Sequence, residues 1–394
     1  LNAIAPILTM FFMITYGLLN LATFYESITS NPSYRPTFRY CHWSLSLLGA
    51  AGCLAVMFLI HPVMAGISIV SMVALYWFIS YREIQSNWGD LSSGRMFQRS
   101  RRDLLRMEQE SYHPKNWRPI ILALSGTAWS RTRLAVFANW LTGRRGILTL
   151  GQVIEGATEE LLARRDGQEK ILRKFIREQG LEAFSAVVVS PDLSRGIEAL
   201  VQCHGLGAMR PNTILLGWSS DPGRVESMGA IFRLIAGMQL SVLAMRLRGA
   251  EEQEDQQDPW AVPPGSIDVW WRGMANGELM LLLAHLVRQN PAWRTKAIRL
   301  LRVINSEAGR EGVLRSMREV MAISRIEAEP VVIVSQDVAG SIQRTSAEAA
   351  LVILGMEPPE PGGERGFHHA MERLIGNLPR VLLANSAGGM HLEA

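Results

Sequence analysis

The apolar positions of this chain fall into two unlike regimes. Up to Tyr81 they form long uninterrupted runs, and beyond it they form short runs separated by amphipathic stretches. Asn2 to Phe24 (NAIAPILTMFFMITYGLLNLATF) carries no charge, nor do Leu45 to Ile60 (LSLLGAAGCLAVMFLI) and Val63 to Tyr81 (VMAGISIVSMVALYWFISY). Each approaches or reaches the roughly 17–20 residues that cross hydrocarbon as a helix. His61-Pro62 divides the second run from the third, because proline supplies no backbone donor and disfavours a helical residue before it. The pattern predicts transmembrane helices at about 1–25, 45–60 and 63–81, the last two as a tight hairpin. A secretory signal fits the first run poorly, since neither a basic leader nor a small-residue cleavage site precedes Glu26. The start inside an apolar run implies a longer polypeptide with earlier spans.

After Tyr81 the periodicity changes. Arg95, Arg99, Arg102 and Arg106 recur at steps of four, three and four, which sets four guanidinium groups on one face of a connector helix within 82–116. Anionic lipid headgroups suit such a face, as does a solvated connector. Further on, Pro119–Ser125, Gly146–Leu150, Ala186–Ser190, Asn212–Gly217 and Leu240–Met245 read as strands, with helical patterns between them. An acidic, amide-rich stretch, 251–265, reads as a linker. The alternation resumes at Ile267–Trp271, Ala297–Ile304, Pro330–Ser335, Ala350–Gly355 and Arg380–Asn385. Continuous apolar strands alternating with helices predict a parallel sheet covered on both faces. Two α/β halves, 117–250 and 266–394, read as an internal repeat, since NTILLGW in one parallels ALVILGM in the other.

Charge sets the orientation. Arg35 and Arg39 follow the first span and a cluster of arginines follows the third, whereas the His61-Pro62 turn carries none. The positive-inside rule then places the large domain in the cytoplasm. The net charge of +4 sits largely in those juxtamembrane arginines, so it argues for no nucleic-acid partner. Three cysteines without paired spacing indicate neither disulfides nor a metal site. The eight histidines are scattered and no nucleophile elbow occurs, so no enzyme is indicated. Asp268, within a strand, reads as a folding or interface residue, and Gly49, Ala50, Ala51, Gly52 and Ala55 as a helix-contact face of the hairpin.

Several long motifs, in order, carry a resemblance: RPTFRYCHWSLSLLGAAGCLAVMFLI (Arg35 to Ile60), NWGD (Asn87 to Asp90), KNWRP (Lys115 to Pro119), GLGAMRPNTILLGW (Gly205 to Trp218), IDVWW, and TSAEAALVILG (Thr345 to Gly355). With them the chain resembles the cation-chloride cotransporters, and within that family the potassium-chloride branch. The resemblance implies the last three of twelve transmembrane helices of a transporter of the amino acid-polyamine-organocation superfamily, followed by a cytoplasmic regulatory domain. It implies electroneutral symport of chloride with potassium, sodium or both at the plasma membrane, by a homodimer set in the bilayer. Tyr16 matches the family's tyrosine at a chloride site and Asn20 its neighbour on the ion path. A phenol donates a hydrogen bond to an anion without a full charge, so the ion can leave again. The cation site would lie on the helices that precede this chain.

The repeated α/β units also resemble the universal stress protein fold, some members of which bind ATP. No cofactor is required, but ATP or another nucleotide as a regulator is what that likeness implies. The phosphate-loop pattern is incomplete: Gly207 and Gly217 have the right interval, yet His204 and Trp218 replace the first glycine and the hydroxyl residue. Gly205, Gly207, Asn385 and Gly388 remain as residues whose backbone amides suit phosphate, and equally as tight-turn residues. Two alternatives keep the same chain: an amino acid permease of the superfamily, in which Tyr16 is incidental, and a membrane-tethered nucleotide sensor.

Overall fold

This computed structural model describes residues 4–29, 42–81, 91–110, 113–124, 126, 131–248 and 258–392. The chain divides into two compact units, Leu1–Glu110 and Ser111–Ala394.

The first unit is helical: α1 (Ile4–Thr29), α2 (Trp43–Ile60), α3 (Pro62–Tyr81) and α4 (Leu91–Gln109). Leu8–Ile28 and Trp43–Ile60 are long and apolar enough to cross a membrane, and Pro62–Phe78 is a shorter apolar stretch. The break between α2 and α3 arises as its residues dictate. His61 is extended at φ −157°, and its Nδ1 accepts from the Met64 amide at 3.3 Å, capping a helix whose first residue is Pro62. Few residues in this unit are buried. Met10, Met57 and Ala65 form its small core, while Phe11, Leu48, Leu59, Tyr76 and Trp77 stand largely exposed. So much contiguous apolar surface needs a bilayer or partner helices to cover it. The small residues of α2 pack differently from the expected hairpin face. A side-chain carbon on Gly49 would lie 2.7 Å from the Asn20 Oδ1 of α1, and Gly17 of α1 faces Cys53. The close approach built on small residues therefore joins α1 to α2.

The second unit is one ten-stranded sheet: β1 (Ile120–Leu124), β2 (Ile147–Glu155), β3 (Ala183–Ser190), β4 (Thr213–Gly217), β5 (Ser241–Leu247), β6 (Ile267–Trp270), β7 (Ile298–Ile304), β8 (Glu329–Val334), β9 (Leu351–Gly355) and β10 (Arg380–Asn385). Its order is β3-β2-β1-β4-β5-β10-β9-β6-β7-β8. Each half thus follows the order third, second, first, fourth, fifth. All neighbours within a half are parallel, whereas β5 and β10 run antiparallel from Arg380↔Leu247 to Asn385↔Val242.

Helices cover both faces, as uniformly apolar strands demand. Along β1, Ile121 and Ala123 point to one core and Leu122 and Leu124 to the other. The first core receives α5 (Thr132–Leu141), α6 (Thr158–Glu178), α9 (Met274–Gln289) and α10 (Arg310–Ser324). The second receives α7 (Leu193–Cys203), α8 (Val225–Gly237), α11 (Val338–Thr345) and α12 (Glu364–Ile375). Residues 251–257 of the acidic linker lie outside the described residues. Its later part is held to the core, since the Trp260 indole packs on Trp140 and donates to the Gln179 carbonyl at 3.1 Å.

Candidate functional site

Tyr16 sits midway along α1 with its side chain 55% exposed. Its carbonyl accepts the Asn20 side-chain amide at 2.9 Å, the i−4 back-bond that small polar residues make within helices. Asn20 therefore bonds within α1 and seats its oxygen against Gly49, while the Tyr16 ring is left on the helix surface. Sequence reasoning grouped the two as neighbours on one path. The structure gives Asn20 a helix-packing contact and Tyr16 an open one.

The arginine-bearing connector is α4. Arg99, Arg102 and Arg106 line a cavity of about 510 Å³ together with Phe24, Tyr25 and Ile28 from the end of α1. Asp103 lies 4.0 Å from Arg99 on the same helix. Cations beside apolar side chains at the end of an apolar helix match the chemistry of an anionic headgroup above its acyl chains. Arg95 lies on α4 one helical turn before Arg99.

The four residues considered for phosphate fall in two separate turns. Gly205 follows α7 at φ 108°, and a side-chain carbon there would lie 2.7 Å from the Arg210 Cα. Gly207 opens the short 3-10 turn Gly207–Met209. Asn385 ends β10 and donates to the Met356 carbonyl at 3.3 Å, and Gly388 follows at φ 77°. Each residue thus has a local backbone reason for its identity. The flanking positions are also engaged: His204 Nε2 lies 2.9 Å from Thr149 Oγ1, and burial lowers its pKa.

Trp218 is a residue whose role sequence reasoning missed. Its indole donates to Glu372 Oε1 at 2.6 Å and stacks on the His368 ring at 5.1 Å and 4°. Ser220 donates to the same oxygen at 2.8 Å, and His368 Nε2 meets the Ser219 carbonyl at 3.0 Å. Burial pushes the Glu372 carboxyl up, but the two donors, with the charges of Arg246 and His368, outweigh it and hold its pKa below the ordinary value. This cluster clasps the β4 end of the first half to α12 of the second. A tryptophan after a strand-ending glycine was the available signal.

Asp268 is fully buried within β6. It accepts from Arg299 Nε at 2.8 Å, Arg299 Nη2 at 2.5 Å, Ser266 Oγ at 2.6 Å and Ser346 Oγ at 2.5 Å. The bond to Asp268, against some opposition from burial, raises the Arg299 pKa. Such a saturated carboxylate holds structure and has no lone pair left for chemistry.

Residues 131–249 match the family model of solute carrier family 12, and residues 1–122 match that of amino acid permease. Among solved structures, the cytoplasmic domain of a prokaryotic cation chloride cotransporter is similar at 16% identity and a TM-score of 0.50, over 70% of this chain and 98% of that one. A universal stress protein from Archaeoglobus fulgidus DSM 4304 is similar at 12% identity and a TM-score of 0.46, over 68% of this chain and 96% of that one. Apolar helices followed by a doubly covered α/β domain are the build of a membrane transporter that carries a soluble domain. Over residues 131–249 the chain is similar to solute carrier family 12, and its α/β domain shares the fold of the cytoplasmic domain of a prokaryotic cation chloride cotransporter.

Proposed function

We propose that the chain is the C-terminal portion of a secondary transporter that carries chloride together with potassium, sodium or both, without net charge. The observation that carries this reading is the solute carrier family 12 match within the soluble domain, behind a helical segment that matches amino acid permeases. In this reading α1, α2 and α3 are three spans of a multi-pass protein in the plasma membrane, and the α/β domain is cytoplasmic. The identical strand order of the two halves supports taking them as repeats. Tyr16, an exposed phenol on an apolar helix, is the chloride ligand, and Asn20 holds α1 against α2 beside it. Arg95, Arg99, Arg102 and Arg106 meet lipid headgroups. The soluble domain mediates dimerisation and regulates transport. Gly205, Gly207, Asn385 and Gly388 hold turns, and titration of the purified protein with ATP tests whether they also take a regulatory nucleotide: saturable binding supports it and no binding overturns it.

The permease match over 1–122 favours a second reading, transport of an amino acid. Rubidium uptake into liposomes holding the full transporter decides between them. Uptake that requires chloride and falls severalfold in Tyr16→Phe supports the symporter and its ligand. Uptake indifferent to chloride overturns the reading and points to amino acid substrates.

A further inference from the structure

A cavity of about 860 Å³ opens in the soluble unit, and five of its lining residues are basic: Lys115, Arg118, Arg144, Arg145 and Arg325. Among the described residues, no aspartate or glutamate lines it. The five come from three separate stretches of chain. Lys115 and Arg118 precede β1, Arg144 and Arg145 form the turn between α5 and β2, and Arg325 caps the C-terminus of α10. Arg144 has a carboxylate nearby, Glu182 at 3.6 Å. Lys115, Arg118, Arg145 and Arg325 form no ion pair among the described residues. Cations gathered without counter-charges repel one another, so the fold bears a cost that an anion would relieve.

The cavity wall also holds an uncharged imidazole. His285 of α9 lines the cavity, and its Nδ1 is buried without a hydrogen-bond partner. Its Nε2 lies 2.6 Å from the Gln289 side-chain nitrogen. Gln289 and His285 thus hold one another at the cavity wall. Burial, reinforced by Arg288 and Arg145, lowers the His285 pKa and keeps that ring neutral. Trp117, Leu282 and Leu286 add apolar wall. The volume falls in the range of small-molecule sites, and guanidinium forks match phosphate oxygens in pairs.

We propose that this cavity binds a multiply phosphorylated anion, either a free small molecule or the headgroup of a phosphoinositide, on Arg118, Arg145, Arg325 and Lys115. It is distinct from the turns at Gly205 and Asn385, and the proposal holds whichever ion the transporter moves. The test is calorimetric titration of the purified protein in neutral detergent with inositol hexakisphosphate and with pyrophosphate. Co-flotation with phosphatidylcholine vesicles, with and without phosphatidylinositol bisphosphate, runs beside it. Saturable binding that weakens about tenfold in Arg145→Gln and again in Arg145→Gln with Arg325→Gln supports the site, on the scale of one charge-assisted contact per arginine. Binding to the soluble probes identifies a free ligand. Variant-sensitive binding to the phosphoinositide vesicles alone identifies the headgroup. The same probes shield Lys115 from acetylation in the unaltered protein, a readout that needs no variant. Absence of binding to every probe, or affinity unchanged in variants that keep the native near-ultraviolet circular dichroism, overturns the proposal.

Discussion

Replacing Arg299 by methionine isolates the most heavily bonded buried charge in the soluble unit. Asp268 would keep its bonds from Ser266 and Ser346 but lose both guanidinium bonds, at 2.8 and 2.5 Å, and with them its ion-pair partner. Stripping one partner from a buried pair costs roughly 3–5 kcal/mol, because the carboxylate remains in a site without water. Arg299 is 26% exposed and Asp268 not at all, so the penalty falls on the aspartate, and the lower part of that range is expected. The network spans β6, β7 and the turn at Ser346, which also receives the Trp270 indole at 3.1 Å, so the loss is felt where those strands pair. Hydrogen exchange followed by mass spectrometry on the intact protein in detergent reads it directly. At 1.36 kcal/mol per decade, about 3 kcal/mol speeds exchange of the β6 and β7 amides by roughly 150-fold wherever exchange proceeds by cooperative opening. Joint replacement, Asp268→Leu with Arg299→Met, removes both charges and restores part of the protection. Acceleration below about fivefold in Arg299→Met would refute the view that this pair is coupled to strand pairing. So would a double variant as exposed as the single one.

Three further outcomes follow from the geometry. Gly205→Ala puts a side chain at φ 108° and against the Arg210 backbone, so thermal unfolding should show a loss of about 1–3 kcal/mol, and an unshifted transition would remove the strain argument. The Glu372 pKa lies below its ordinary value of 4.5, so the stability this carboxylate adds is present above pH 4.5 and lost as pH falls through its lowered folded value; Glu372→Gln should flatten that acid limb in urea midpoints, and an identical limb would contradict it. Gly49→Leu should separate α1 from α2, read as reduced melting temperature of the detergent-solubilised protein by at least several degrees, with no change expected only if the Asn20 contact is idle.

The ten strands were legible because each is a short apolar run bounded by turn residues, and the observed bounds fall near the expected ones. The exceptions have physical causes. β2 extends to Glu155 although Gly151 and Gln152 interrupt its apolar run, and the Gln152 side chain is buried. The antiparallel seam between β5 and β10 left no trace, since pairing partners far apart in sequence are not encoded in periodicity. The same holds for the basic cavity, whose arginines come from turns that look like ordinary solvated loops when read singly. The small-residue stripe on α2 was visible, but its partner was not. Asn20 reads as an ion-path residue through the family resemblance alone, while its contact with Gly49 belongs to the packing of two helices.

The antiparallel seam also governs how the soluble domain can move. The acidic stretch between the two halves reads as a linker, which would let them move apart. Yet six backbone pairs bind β5 to β10, and the Trp218–Glu372–His368 clasp crosses the same border. A bend there would have to shear a central ladder in the middle of ten strands. The seam therefore sets the carboxyl ends of the two sets of strands on opposite edges of one continuous sheet. Anything that docks at the strand ends of one half would thus face away from whatever docks at the strand ends of the other.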